Sequence, residues 1–206
     1  MADELKKLVR LSKGQTKKSL DWFKRKAQNV LRSKITDKGN NQWIISKMTG
    51  ADKELKGAIK TVSAPMIGHM YFYQYDPKWK KELPYYDVLP LVIPIEYKSN
   101  GILGLNLHYL PPIARAALLD ELLKFVKTRP NSSYGQKQYM QLSYGILQGV
   151  KNSAYKATIK RYLYTHFKSK LGQIDFNEWE NAVFLPVENF KKANKRAVWS
   201  DSKEYY

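Results

Sequence analysis

Residues 88–110 read VLPLVIPIEYKSNGILGLNLHYL, and this stretch decides the fold class. Val88 to Tyr97 is rich in branched apolar residues, which suit a pleated strand. Pro90 and Pro94 lack the amide that a sheet ladder needs, so they point to a sheet edge or a bulge. Asn100-Gly101 is a tight-turn signal, because both residues tolerate positive φ. Beyond it, Leu103, Leu105, Leu107 and Tyr109 alternate with Gly104, Asn106 and His108, the pattern of a half-buried strand. Upstream, Met66 to Tyr75 (MIGHMYFYQY) predicts a further strand. The centre of the chain therefore predicts a small curved sheet or SH3-like barrel built on a hairpin.

Outward from this hairpin the period changes. Pro111-Pro112 ends the sheet, and residues 113–127 (IARAALLDELLKFVK) predict a helix rich in strong helix formers. Residues 153–171 (SAYKATIKRYLYTHFKSKL) predict a second one. Tyr155, Ile159, Tyr162, Leu163 and His166 line one side, and Lys156, Lys160, Tyr164 and Lys168 follow at four-residue steps on another. Towards the start, Thr16 to Ser33 predicts a helix with Leu20, Phe23, Ala27, Val30 and Leu31 near one face. Lys18, Arg25 and Arg32 recur every seven residues on its other side. Residues 34–41 break that helix, and residues 42–64 fit a helix, a loop or a linker equally well. The expected organisation is α+β. A basic helical region spans 1–62, a small β core 63–112 and a helical region 113–206, with one compact unit from about residue 63.

Charge is the dominant compositional feature. Thirty-six Lys and Arg against eighteen Asp and Glu give a formal net charge of +18, and the sequence pI is about 9.8. Such a field attracts polyanions, and each phosphate neutralised releases condensed counterions. Residues 1–62 carry 16 basic and 6 acidic groups, whereas residues 63–130 carry 8 and 6. The nearly neutral middle reads as scaffold and the basic flanks as the parts that meet the polyanion. No run approaches 18 apolar residues, so no membrane span is expected. The opening MADELKKLVRLSKGQ has no apolar export signal, and cysteine is absent, which suits an intracellular compartment.

No catalytic constellation is legible. His69, His108 and His166 stand singly in different elements, and a lone His among strand residues reads as structural. The glycine-containing stretches match no phosphate-loop pattern. Asp76, Glu82, Asp87 and Glu96 are the carboxylates a metal-dependent nuclease would need, but Asp beside Pro or Gly usually serves a turn. The expectation is no enzyme, no metal, no cofactor and no small-molecule substrate. The basic stripes carry more weight. One predicted helix holds Lys17, Lys18, Lys24, Arg25 and Arg32 with the single acid Asp21, and the other holds Lys156, Lys160, Arg161 and Lys168 with none. Solvated faces normally mix signs, so this imbalance favours phosphate contact without base reading. Tyr71, Phe72, Tyr73, Tyr75, Trp79, Tyr85 and Tyr86 fall within one short segment. Most of such a cluster reads as core packing. Trp79 and Tyr85 are the candidates for stacking on bases.

The motifs of this central region resemble the DNA end protector family of contractile-tailed bacteriophages. They are Tyr71 to Lys78 (YFYQYDPK), Leu83 to Asp87 (LPYYD), Pro90 to Pro94 (PLVIP) and Gly101 to Pro111 (GILGLNLHYLP) with Arg115. The blocks Phe184 to Phe190, Val198 to Ser202 and Ser19 to Phe23 extend the resemblance over about residues 16 to 203. It implies a virion protein that joins the filled head, after assembly in the host cytoplasm. There it would cap the ends of the packaged linear double-stranded DNA, block host exonuclease and help complete the head with head, portal or neck proteins as partners. No catalytic residues come with the resemblance, and its motif residues look structural. The rival expectations are a neck or baseplate protein without end-specific DNA binding, and a nuclease that uses Asp76 or Asp87.

Overall fold

The computed structural model describes residues 60–128, 153–174, 179–184 and 187–203. The expected helix over 16–33, with Lys17, Lys18, Lys24, Arg25 and Arg32, lies outside the described residues. Among the described residues the fold is α+β: two helices of two turns or more, α1 (Pro112–Thr128) and α3 (Lys195–Lys203), accompany the sheet, with a single turn, α2 (Trp179–Ala182), between them. Six strands form one antiparallel sheet: β1 (Lys60–Val62), β2 (Met70–Phe72), β4 (Leu91–Lys98), β5 (Gly101–Asn106), β6 (Ile159–Leu163) and β7 (Leu171–Ile174). Their order is β1-β7-β2-β4-β5-β6, and β3 (Tyr86–Asp87) pairs separately with β8 (Phe190–Lys191). The sheet thus draws β1, β6 and β7 from outside residues 63–112.

The expected hairpin is present as β4–β5, with Ser99 and Asn100 as its two-residue turn. Its chemistry differs from the expectation, because neither Asn100 nor Gly101 has positive φ. Gly101 is needed for close approach instead: an added Cβ would sit 2.0 Å from the Tyr162 carbonyl oxygen of β6. Pro94 does mark a bulge, with the register shifting between Pro94 and Glu96, but β4 lies inside the sheet between β2 and β5. Pro94 is tolerated there because its carbonyl accepts from Gly68 N at 3.1 Å while its missing amide falls at the irregularity.

Alternation along the strands divides two cores. Met70, Phe72, Leu91, Ile93 and Leu105 face α1, where Ala116, Leu119 and Leu122 at three-residue steps fill one layer. Tyr71, Tyr73, Val92, Ile102 and Tyr162 face the other side. There Tyr73 meets Phe167 and Tyr162 edge-on at 4.7 and 5.7 Å between centroids, and Tyr75 meets Tyr162 at 4.9 Å. Such pairs each contribute about 0.5–1.5 kcal/mol beyond burial. The strand expected to run to Leu110 ends at Asn106, whose side chain accepts from His108 N and starts a 3₁₀ turn over Leu107–Tyr109.

The helix expected over 153–171 is a correction. Ser153–Thr158 is a 3₁₀ turn, Ile159–Leu163 is strand β6 and Tyr164–His166 is a second 3₁₀ turn. The four-residue spacing of apolar groups was compatible with a helix. Pairing of Ile159 with Leu105 and Tyr162 with Ile102 satisfies the same residues in a ladder and buries Tyr162. This tertiary partner overrides the local pattern.

Candidate nucleic-acid interface

A polar frame builds the interface from behind. Asp87, at the end of β3, is buried, with one carboxylate oxygen 2.7 Å from His108 Nδ1 and 3.2 Å from Asn106 Nδ2. Its other oxygen accepts from the amides of Leu89 and Asn189. Burial alone would raise the Asp87 pKa, but His108 and these hydrogen bonds hold it below the ordinary 3.8. Arg115, fully buried in the first turn of α1, donates to the carbonyls of Leu110, Val183 and His108 and pairs with the buried Glu188 carboxylate. From α3, Trp199 Nε1 donates to His108 O at 2.9 Å, and Ser202 Oγ donates to Tyr109 O at 2.8 Å. The 3₁₀ turn 107–109 is thus held from outside by Asp87 on the His108 ring, by Arg115 and Trp199 on the His108 carbonyl and by Ser202 on the Tyr109 carbonyl, with Glu188 backing Arg115.

What the frame positions is Tyr109. Its ring carries the Lys160 ammonium at 4.2 Å from its centroid, a cation–π contact. Burial pushes Lys160 below the usual 10.5. Tyr85 lies 6.0 Å from Tyr109, and Phe190 packs edge-on against both. In front of these residues opens a cavity of about 510 Å³. Its walls are the loop from Pro77 to Tyr86, the turn at Asn100 and strand β6. Lys78, Lys160 and Arg161 supply three cations, while Trp79, Tyr85, Tyr86, Tyr109 and Tyr162 supply ring surface. Asp87 also lines it, but its oxygens are committed to the frame. Arg161 Nη2 donates to Asn100 Oδ1 at 2.7 Å, which ties β6 to the hairpin turn. The loop is pinned from outside: Lys192 Nζ donates to the carbonyls of Lys81 and Leu83 at 2.7 and 2.8 Å. Lys192 itself takes φ 68°, an uncommon geometry for a residue with a side chain.

The structure brings four of the sequence-predicted residues together here: Lys160, Arg161, Trp79 and Tyr85. It does not bring Lys156 or Lys168 into this cavity. Lys156 is exposed on the 3₁₀ turn before β6. Lys168 is exposed beside a second concavity lined by Val62, Tyr164 and Phe167. Of the aromatic cluster, Tyr71, Phe72, Tyr73 and Tyr75 are core, whereas Trp79 is 55% exposed. Sequence reading missed Lys78 and Tyr109. The run Lys78-Trp79-Lys80-Lys81 was the available signal for Lys78, whose ammonium lies 4.9 Å from the Trp79 ring. Nothing local marked Tyr109.

Of the carboxylates considered for metal chemistry, Asp76, Asp87 and Glu96 are paired with Lys80, His108 and Lys98. Asp76 accepts from Lys80 at 2.9 and 3.0 Å, and this bond holds its pKa below 3.8. Among the described residues no cluster of three His, Asp or Glu side chains has metal-binding geometry, and no helix is long and apolar enough to cross a membrane.

A family model described as the phage T4 terminal DNA protecting protein matches residues 2–203 of the chain. No curated protein and no solved structure matches it.

Proposed function

This chain belongs to the phage terminal DNA protecting family, and from that premise we propose that it binds the ends of linear double-stranded genomic DNA and occludes exonuclease. The observation that carries this reading to a place on the molecule is the cavity beside Lys160. It combines Lys78, Lys160 and Arg161 with ring surface from the exposed Trp79 and the half-buried Tyr85, the two chemistries that hold a nucleic acid backbone and an open base-pair face. Lys156, Lys168 and the basic residues Lys17, Lys18, Lys24, Arg25 and Arg32 extend the phosphate contacts along the duplex. The role is occlusion rather than catalysis, in keeping with the commitment of Asp76 to Lys80 and Asp87 to His108.

The same reading puts the protein in the filled phage head, reached from the host cytoplasm during assembly, with head, portal or neck proteins beside it. Met66, Tyr97 and Tyr164 are large apolar side chains, each at least 40% exposed. Tyr97 is tied to Pro65 O at 3.1 Å, next to Met66. An exposed apolar group of this kind suits a protein contact during head completion.

The test is exonuclease digestion of a linear duplex with a closed circle of the same sequence as binding competitor. Protection of the linear ends that the circle relieves poorly supports end binding. Equal competition with unimpeded digestion would leave a structural neck role as the better reading.

A further inference from the structure

Lys160 differs from a cation that merely tracks a DNA backbone. Lys156 and Lys168 are exposed, as backbone-tracking lysines are. Lys160 lies along the Tyr109 ring, half-buried, with its ammonium driven below the usual 10.5 by desolvation. Among the described residues no carboxylate pairs with it, since the nearby Asp87 is bound to His108 and Asn106. The cation faces a space of about 510 Å³, within the range of small-ligand sites of roughly 300–1,000 Å³. A space of this volume suits a ligand the size of one nucleotide. The walls offer stacking surface at Trp79 and Tyr85, and Arg161 stands next to Lys160 at the β6 edge.

We infer that the cavity takes one unpaired nucleotide from the DNA terminus, its base against the Trp79 and Tyr85 rings and its phosphate on Lys160 and Arg161. This rests on the end-binding reading above and supplies the selectivity that phosphate contacts lack. Phosphates are the same at an end and in a closed circle. A terminal base stacks on one neighbour instead of two, so drawing it out costs less than flipping an interior base, whose unstacking costs a few kcal/mol. An end is then recognised because it can fray.

The test uses the full chain and three duplexes of one stem sequence, each closed by a hairpin at one end. The other end is blunt with its terminal pair covalently cross-linked, blunt and free, or forked by a single unpaired nucleotide on each strand. Affinities are measured by fluorescence anisotropy with the closed circle as competitor. The fork is expected to bind tighter than the cross-linked end by roughly 5- to 150-fold, the value of one base–aromatic stack. Trp79→Ala and Lys160→Gln are each expected to bring this ratio towards one. Trp79 is 55% exposed, so its removal leaves the core intact and keeps the comparison free of misfolding. Equal affinity for the fork and the cross-linked end, or a ratio unchanged in both variants, overturns the inference. If all three ends outcompete the circle yet bind alike, end binding stands and the nucleotide pocket alone fails. If the circle competes as well as every end, both fail.

Discussion

At Asp87 a carboxylate is buried without becoming protonated, because His108, Asn106 and two amides surround it. Its pKa lies below 3.8: burial opposes this, and the surrounding donors prevail. Glu188 is lowered in the same sense, with Arg115 outweighing burial. A carboxylate with a lowered folded pKa contributes stability that is present above its unfolded value and lost as pH falls through the folded one. The fold is therefore expected to hold its acid-sensitive stability down to about the ordinary 4.5 of Glu188 and to lose it progressively below, with the Asp87 share going below 3.8. Circular dichroism against pH checks this, and Asp87→Asn should flatten that limb while costing about 2–3 kcal/mol at neutral pH. An unchanged acid limb in the variant would contradict the assignment. Arg115→Met leaves the buried Glu188 carboxylate with only the more distant Lys195 at 3.9 Å and is expected to cost about 3–5 kcal/mol in urea denaturation. At this scale the sequence was only partly legible. A structural His108 was readable from its isolation, but its partner Asp87 lies 21 residues away, and only the fold makes them neighbours.

Among the elements, the hairpin β4–β5 and helix α1 follow directly from local pattern. Branched residues and an Ala/Leu run each favour one conformation without outside help, whereas the turn at Ser99-Asn100 forms without the positive φ that Asn100-Gly101 implied. Strand β6 does not. The segment around Ile159-Lys160-Arg161-Tyr162-Leu163 carries spacings that fit a helix, and only the partner strand β5 decides against it. That error also hid the site, because a helix would have separated Lys160 and Arg161 from Trp79 and Tyr85. Gly101 is the position at which β5 admits β6. Gly101→Val forces the Tyr162 carbonyl away and is expected to cost about 2 kcal/mol or more, with a parallel loss of exonuclease protection as Lys160 and Arg161 shift. Lys192 has a similar role for the loop 77–86. Lys192→Ala should leave overall stability within about 1 kcal/mol, since the residue is exposed, yet speed hydrogen exchange at Glu82 and Leu83, whose amides bond to Trp79 O at 3.0 Å. Unaltered exchange there would mean that the loop holds itself.

On the scale of the whole molecule, a net charge of +18 predicts binding that weakens steeply with salt. Each lysine that neutralises a phosphate adds roughly 0.9 to the slope of log affinity against log salt. Changing Lys156, Lys160 and Lys168 together to Glu should thus lower that slope by roughly three, as well as weakening binding at any one salt. A slope that stays put would remove these lysines from the interface. The net charge was legible from composition, but the scaffold was not: the sheet draws β1, β6 and β7 from the basic flanks, and Lys78, Trp79 and Tyr85 of the site come from the nearly neutral middle. End specificity was not, since it arises from a cavity assembled by a loop, a turn and an edge strand. This cavity, we propose, is what tells an end from a continuous duplex. The most direct measurement is the affinity ratio of linear over closed-circular DNA for the wild-type chain and for Lys160→Glu/Arg161→Glu. The ratio is expected to lie well above one and to collapse to about one in the variant while circle binding weakens less. A ratio near one in the wild-type chain, or one preserved in the variant, would contradict it.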